Sequence, residues 1–196
     1  NTLTLRERGI PIHIGHSADN VTDDISFVIR TAAVHDDNPE VHEAHRRGIP
    51  VFERTQAWGA LMRGYQNALC ISGTHGKTTT TSMCTHIMMA AEKDPTVMIG
   101  GTLPLLKACH RVGKGNTIIM ESCEYYNSFL ALNPTIAVVL NIEADHLDFF
   151  KDLEDIKHSF RCFAERVPAE TGTVIANYDD ANTMDALRGI ARKVIT

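Results

Sequence analysis

Residues Ala68 to Thr81 read ALCISGTHGKTTTT, an apolar run that breaks into Gly73-Thr74-His75-Gly76-Lys77-Thr78 and then opens a helical stretch. An apolar run of this kind fits a strand buried on both faces of a parallel sheet, and parallel strands require crossover connections, usually helices. The glycines let the backbone approach a ligand, and a helix beginning at Lys77 aims unpaired N–H groups at an anion. A helix terminus contributes only about 0.3–1 kcal/mol to holding a negative group. Firm triphosphate binding therefore calls for Lys77 and a metal ion as well, with the Thr78 hydroxyl in reach of that ion. The segment reads as a phosphate-binding loop whose ligand contacts come from Gly73, Thr74, Gly76, Lys77, Thr78 and Thr79.

The spacing is tighter than the widespread G-x-x-x-x-G-K-[ST] form. That pattern would put its first glycine at position 71, where this chain has Ile71. The competing reading is a plain glycine-rich turn after a core strand. Against it stands the lysine followed by four threonines, a poor choice of residues for merely starting a helix.

A chain of 196 residues is long enough for one full domain, or one domain with part of another. With 43% hydrophobic and 22% charged residues, its composition is that of a soluble globular protein. No run approaches the roughly 20 apolar residues needed to span a bilayer, and Arg6, Glu7 and Arg8 in the first stretch do not suit a signal peptide. A net charge of −5 with no basic stripe argues against a nucleic-acid surface. The five cysteines are an odd number, widely spaced and without a C-x-x-C pair, which fits most of them as small buried hydrophobes in a reducing cytoplasm. His42 and His45 sit three apart on a probable helix, but Glu40, Glu43, Arg46 and Arg47 mark that helix face as solvated rather than metal-binding.

Along the first third the pattern predicts a helix over 2–8, a strand over 10–14, a strand over 26–30, a helix opened by Pro39 and closed by Gly48, a strand over 49–52, and a helix over 54–63 with Trp58, Leu61 and Met62 on one side. The polar stretch Gly64-Tyr65-Gln66-Asn67 marks a domain boundary. Beyond it strands are expected at 68–72, 96–99, 117–121, 135–140, 173–177 and 193–195, and helices at 77–91, 153–167 and 181–188. The expected fold class is α/β, with a partial Rossmann-like parallel-sheet domain over 1–65 followed by a nucleotide-binding domain over 66–196. The first residues form a helix where a doubly wound domain opens with a strand, and the last form an apolar strand, so the chain reads as a piece of a longer polypeptide.

Two acidic segments follow predicted strands, at the ends where open α/β sheets bind ligands. The first is Ile118-Ile119-Met120-Glu121; the second carries Asn141, Asp145 and His146. Oxygen donors such as Thr78 and Glu121 suit Mg²⁺, whereas His146 is an unusual addition to such a set.

Taken together, GTHGKTTTTSM, ESCEYYNSFLALNPTIAVVLNIEADHLDFF and ANYDD resemble the Mur ligases, ATP-dependent amide-forming enzymes of peptidoglycan synthesis. IGH at Ile14 to His16 and HDDNPE at His35 to Glu40 resemble the substrate domain of the same family. The resemblance implies a substrate domain over 1–65 that binds a UDP-sugar, a central P-loop domain with a parallel sheet flanked by helices over 66–196, and a third, amino-acid-binding domain outside the chain. It implies ATP and Mg²⁺ as cofactors, with UDP-N-acetylmuramate and L-alanine as small-molecule partners. ATP would phosphorylate the lactyl carboxylate, and the amine would then attack the acyl phosphate.

By the same resemblance, Lys77 would contact the β- and γ-phosphates and Thr78 would ligate Mg²⁺, while Glu121 and His146 would hold a second Mg²⁺; Lys77, Glu121 and His146 are the catalytic set. Asn177 would contact adenine with Asp180 nearby. His75, Ser128 and Phe129 would meet the muramoyl end of the substrate, and His16 and Asn38 its nucleotide part. Without the third domain the chain alone is expected not to turn over. Other readings remain: a murein tripeptide ligase or a folylpolyglutamate synthetase on the same scaffold, a non-catalytic nucleotide switch, or a metal-binding protein built on the histidines.

Overall fold

The computed structural model describes residues 2–31 and 33–196. The chain divides into two compact units, Asn1–Ala57 and Trp58–Thr196. The smaller contains helix α1 (Thr2–Glu7), strand β1 (Val28–Arg30), helix α2 (Pro39–Arg46) and strand β2 (Val51–Glu53); helix α3 (Arg54–Met62) runs across the division. Strands β1 and β2 pair in parallel, with Val28 opposite Val51, so α2 is the crossover of a βαβ unit. Pro39 occupies the first turn of α2, and Asn38 caps it by accepting the Glu40 N–H at 3.0 Å. The strand expected over 10–14 does not form. Pro11 has no N–H to give a ladder, and Gly15 turns the chain away at a φ of +91°.

The larger unit is built on strands β3 (Asn67–Ser72), β4 (Thr96–Leu103), β5 (Ala108–Arg111), β6 (Thr117–Glu121), β7 (Ile136–Val139), β8 (Thr173–Ala176) and β9 (Lys193–Ile195). Their order in the sheet is β5-β4-β6-β3-β7-β8-β9, all parallel except β5, which returns antiparallel along β4. Between them lie helices α4 (Lys77–Ala90), α5 (Leu153–Ala164) and α6 (Ala181–Ala186). Period-two alternation sends successive side chains to opposite faces of this sheet. Cys70, Ile118, Met120, Ala137 and Val139 pack on one face with Phe160, Phe163 and Ala186. Ile71, Ile119 and Val138 pack on the other with Cys84 and Met88 of α4.

Helix α4 has four consecutive threonines, residues of indifferent helix propensity. Its buried hydroxyls are satisfied along the helix: Thr81 Oγ1 donates to the Lys77 carbonyl at 2.8 Å and Thr85 Oγ1 to that of Thr81 at 2.7 Å. Helix α5 is opened by Asp152, which accepts the Asp155 N–H at 2.9 Å, and buries Ile156, Phe160 and Phe163 at helical spacing. On α3, Met62 is buried and Trp58 packs against the same cluster, but Leu61 is 59% exposed, so the apolar side expected there is narrower. Among the described residues no helix is long and apolar enough to cross a membrane.

Candidate functional site

The loop predicted from Gly73 to Thr78 leaves the carboxyl end of β3, the middle strand of the sheet. Glu121 ends β6 on one side of it, and Asn141 follows β7 on the other. This is the crevice in which open parallel sheets bind ligands. Gly73 has a φ of +144°, a region almost reserved for glycine, and a Cβ there would lie 2.9 Å from the Leu140 Cβ. Thr74 N–H donates to the Asn141 carbonyl at 3.0 Å, and Thr74 Oγ1 accepts the Glu143 N–H at 2.9 Å. The loop is thus tied to the segment that follows β7 by the backbone and the side chain of Thr74. Gly76 caps α4 in left-handed backbone and has no side chain to cap the first-turn N–H groups, which remain available to an anion.

Two polar clusters form over this loop. In the first, Thr78 Oγ1 donates to Glu121 Oε1 at 2.9 Å, and Gly100 N–H donates to Glu121 Oε2 at 2.7 Å. A hydroxyl beside a carboxylate at the mouth of a phosphate loop is a hard-oxygen pair of the kind Mg²⁺ takes, with phosphate oxygens and water completing its shell. In the second, Lys77 Nζ donates to the Gly73 carbonyl at 2.6 Å, to the Thr74 carbonyl at 3.1 Å and to Glu124 Oε2 at 3.0 Å. Glu124 is buried, its side chain 3% exposed, and its Oε1 lies 3.9 Å from His146 Nε2. His146 is stacked on Tyr125 with ring centroids 4.3 Å apart. The Tyr125 phenol donates to Asp148, and that hydrogen bond holds its pKa well above the usual tyrosine range. His146 has a φ of +51°, an uncommon conformation for a residue with a Cβ.

A model of the Mur ligase middle domain matches residues 71–196, and one of the Mur ligase family catalytic domain matches residues 1–66. The chain belongs to the Mur ligase family. A UDP-N-acetylmuramate--L-alanine ligase from Lachnospira eligens is 49% identical over 174 residues, which are 89% of this chain and 38% of that protein. Among solved structures, the UDP-N-acetylmuramate-alanine ligase of Thermotoga maritima has a TM-score of 0.80 at 31% identity, covering 94% of this chain and 42% of that one. UDP-N-acetylmuramate:L-alanyl-gamma-D-glutamyl-meso-diaminopimelate ligase from Neisseria meningitides has a TM-score of 0.84 at 25% identity, covering 98% of this chain and 65% of that one. The chain thus spans about two fifths of the length of the curated relative it matches.

In this Mur ligase chain the expected residues fall into several groups. Gly73, Thr74, Gly76, Lys77 and Thr78 form the loop and its mouth, with Thr79 exposed on the first turn of α4. The carboxylates within 4.0 Å of His146 Nε2 are those of Glu124 and Asp145, both 3.9 Å away, and not that of Glu121, with which it was expected to share an ion. Among the described residues no three His, Cys, Asp or Glu side chains converge as a ready metal cage.

Phe129 is corrected outright. It is fully buried, stacked on Phe163 at 4.6 Å and edge-on to Phe160 at 5.3 Å, so it fills the core and cannot meet a substrate. Its neighbour Ser128 donates to the Cys123 carbonyl at 2.8 Å. His75 is exposed, with Nε2 3.6 Å from Glu143 Oε2. Asp180 caps α6 by accepting the Thr183 N–H at 2.7 Å and takes the Ile142 N–H at 3.2 Å, so its carboxylate braces the 141–146 loop. Asn177 follows β8 at the same end of the sheet and accepts the Asp179 N–H at 3.1 Å. A cavity of about 740 Å³ is lined by Tyr178, Asp179, Met184, Asp185 and Arg188, and none of the loop residues lines it. In the smaller unit, His16 Nδ1 lies 2.8 Å from Glu40 Oε2, and Asn38 spends its oxygen on the α2 cap.

Sequence reasoning missed Glu124 and Gly100. Glu124 stands three residues after Glu121 in ESCEY, and a second acid so close to the end of an apolar strand was the available signal. Gly100 carried none, since its part depends on β4 lying beside β6.

Proposed function

We propose that the chain belongs to an ATP-dependent ligase that joins L-alanine to the lactyl carboxylate of UDP-N-acetylmuramate in the cytoplasm, with residues 1–65 serving the UDP-sugar and 66–196 the nucleotide. The reading is carried by one observation: Lys77, Thr78 and Glu121 gather at the mouth of a phosphate loop in a chain 49% identical to a protein bearing that activity's name.

A carboxylate is a poor electrophile, so amide formation needs its oxygen converted into a leaving group. The substrate carboxylate attacks the γ-phosphorus of ATP, ADP departs, and an acyl phosphate forms; the amine then attacks the acyl carbon and phosphate leaves with the former carboxylate oxygen. For the first step the protein contributes position and charge, as phosphoryl transfer requires. The Gly76–Thr79 N–H groups cradle the phosphates, and Lys77 bridges the β- and γ-phosphate oxygens. Thr78 and Glu121 would hold Mg²⁺, which draws charge from those oxygens when bound. His146 stands on the side of the incoming acid, fixed by its stack on Tyr125. Asn177 is assigned to adenine; His75 and Ser128 to the muramoyl end of the substrate; His16 and the amide nitrogen of Asn38 to its nucleotide part.

The full-length protein with ATP, UDP-N-acetylmuramate labelled with ¹⁸O in the lactyl carboxylate, and L-alanine tests this. One labelled oxygen should appear in inorganic phosphate, and release should need all three compounds. Unlabelled phosphate, or release that ignores the amine, sinks the proposal. The likeness to the Neisseria ligase, at a TM-score of 0.84, favours a peptide amine as the second reading. Offering L-alanine and the tripeptide together separates the two.

A further inference from the structure

The site holds one buried ionisable group that this mechanism leaves idle. Glu124 has its side chain 3% exposed and receives Lys77 Nζ at 3.0 and 3.3 Å on its two oxygens, with His146 Nε2 3.9 Å from Oε1. A carboxylate so removed from water is costly unless paired, and the groups facing it are the Lys77 ammonium and the His146 imidazole. An ammonium has three N–H donors. In Lys77 all are spent, on the Gly73 and Thr74 carbonyls and on Glu124. A phosphate entering the loop must therefore displace at least one of them.

We propose that Glu124 is a positioning residue for phosphoryl transfer, resting on the nucleotide reading of this loop. It holds the Lys77 ammonium over the loop before nucleotide arrives and gives it up to the phosphates. Its freed carboxylate then fixes the His146 imidazole against the acid substrate. Because Glu124 competes with phosphate for Lys77, it weakens nucleotide binding while supporting turnover. A residue that only kept the site folded would support both.

The experiment uses the full-length protein with Glu124→Gln, which keeps shape and polarity but removes the charge, and Glu124→Asp. ATP affinity is read by calorimetric titration with ATP and Mg²⁺, and kcat by phosphate release with UDP-N-acetylmuramate and L-alanine. The expected result for Glu124→Gln is ATP binding as tight as wild type or several-fold tighter, with kcat reduced more than fivefold and partly restored in Glu124→Asp. A kcat loss below fivefold overturns the proposal. So does weaker ATP binding in Glu124→Gln, or loss of the folded state in both variants, since either makes Glu124 a structural support. A wild-type protein that binds ATP but shows no ligation rejects the proposed reaction instead, and ATP affinity alone then decides for Glu124.

Discussion

The side chain of Asn141 and the backbone of His75 close a two-bond ring: His75 N–H donates to Asn141 Oδ1 at 2.8 Å, and Asn141 Nδ2 donates back to the His75 carbonyl at 3.1 Å. An asparagine amide thereby continues the pairing of β3 with β7 beyond the last true ladder residues, Ser72 and Val139. Asn141→Asp loses the donating half and adds a negative charge beside the expected phosphates. ATP affinity should fall about tenfold, near 1.4 kcal/mol, in a calorimetric titration, while Asn141→Ala, without the charge, loses less.

Lys77→Ala should abolish measurable ATP binding, because it removes the cation of the loop. It also strands the Glu124 carboxylate in a buried position, which costs about 3 kcal/mol. Urea unfolding should show that loss, and the double variant Lys77→Ala with Glu124→Gln should recover much of it without recovering nucleotide binding.

A Cβ at Gly100 would stand 2.7 Å from Glu121 Oε1. The displaced atom is the tip of a flexible side chain, so Gly100→Ala should fold with a melting temperature within a few degrees of wild type. Its Glu121 carboxylate, however, is pushed off Thr78. Turnover of the full-length protein should fall roughly tenfold, about 1.4 kcal/mol in the barrier, with a raised Mg²⁺ requirement as the accompanying sign.

On the proposed reading, in which His146 serves the acid substrate, His146→Ala in the full-length protein should lower kcat far more than ATP affinity. Equal losses in both, measured by steady-state kinetics against titration, would remove it from the phosphoryl-transfer step.

Burial pushes the Cys70 thiol up to about 12, whereas in the unfolded chain it titrates near 9.0. Between those values the unfolded state gives up a proton that the folded state keeps, so this residue's contribution makes stability fall as pH rises past 9. Urea midpoints at pH 8 and pH 10.5 should drop more in wild type than in Cys70→Ala. In the native protein iodoacetamide should label exposed Cys123 and spare Cys70.

The strand, loop and helix around Lys77 were legible because each rests on local chemistry: an apolar run, glycines, a lysine and hydroxyls in unbroken order. Helix α2 was legible for the same reason, through Pro39 and Gly48. Glu124 was not, because its partner Lys77 lies 47 residues away and meets it only once β3 and β6 are neighbours. Strand β5 escaped notice because ACHR lacks the β-branched pattern and exists by pairing with β4. Phe129 was misread for a complementary reason. It was carried over with Ser128 on the family resemblance of the SFL run, which does not say which of two neighbouring side chains points inward; the left-handed backbone of Tyr126 and Asn127 precedes the turn that buries Phe129.

Strand β3 carries the loop from the middle of seven strands, and its groups answer to immediate neighbours on both sides. Fraying at β5 or β9 leaves two intact strands between the opening edge and β3 on either flank. The nucleotide site should therefore be among the last parts of the larger unit to lose amide protection on warming, and sequence drift at the sheet margins can accumulate without touching the chemistry at its centre.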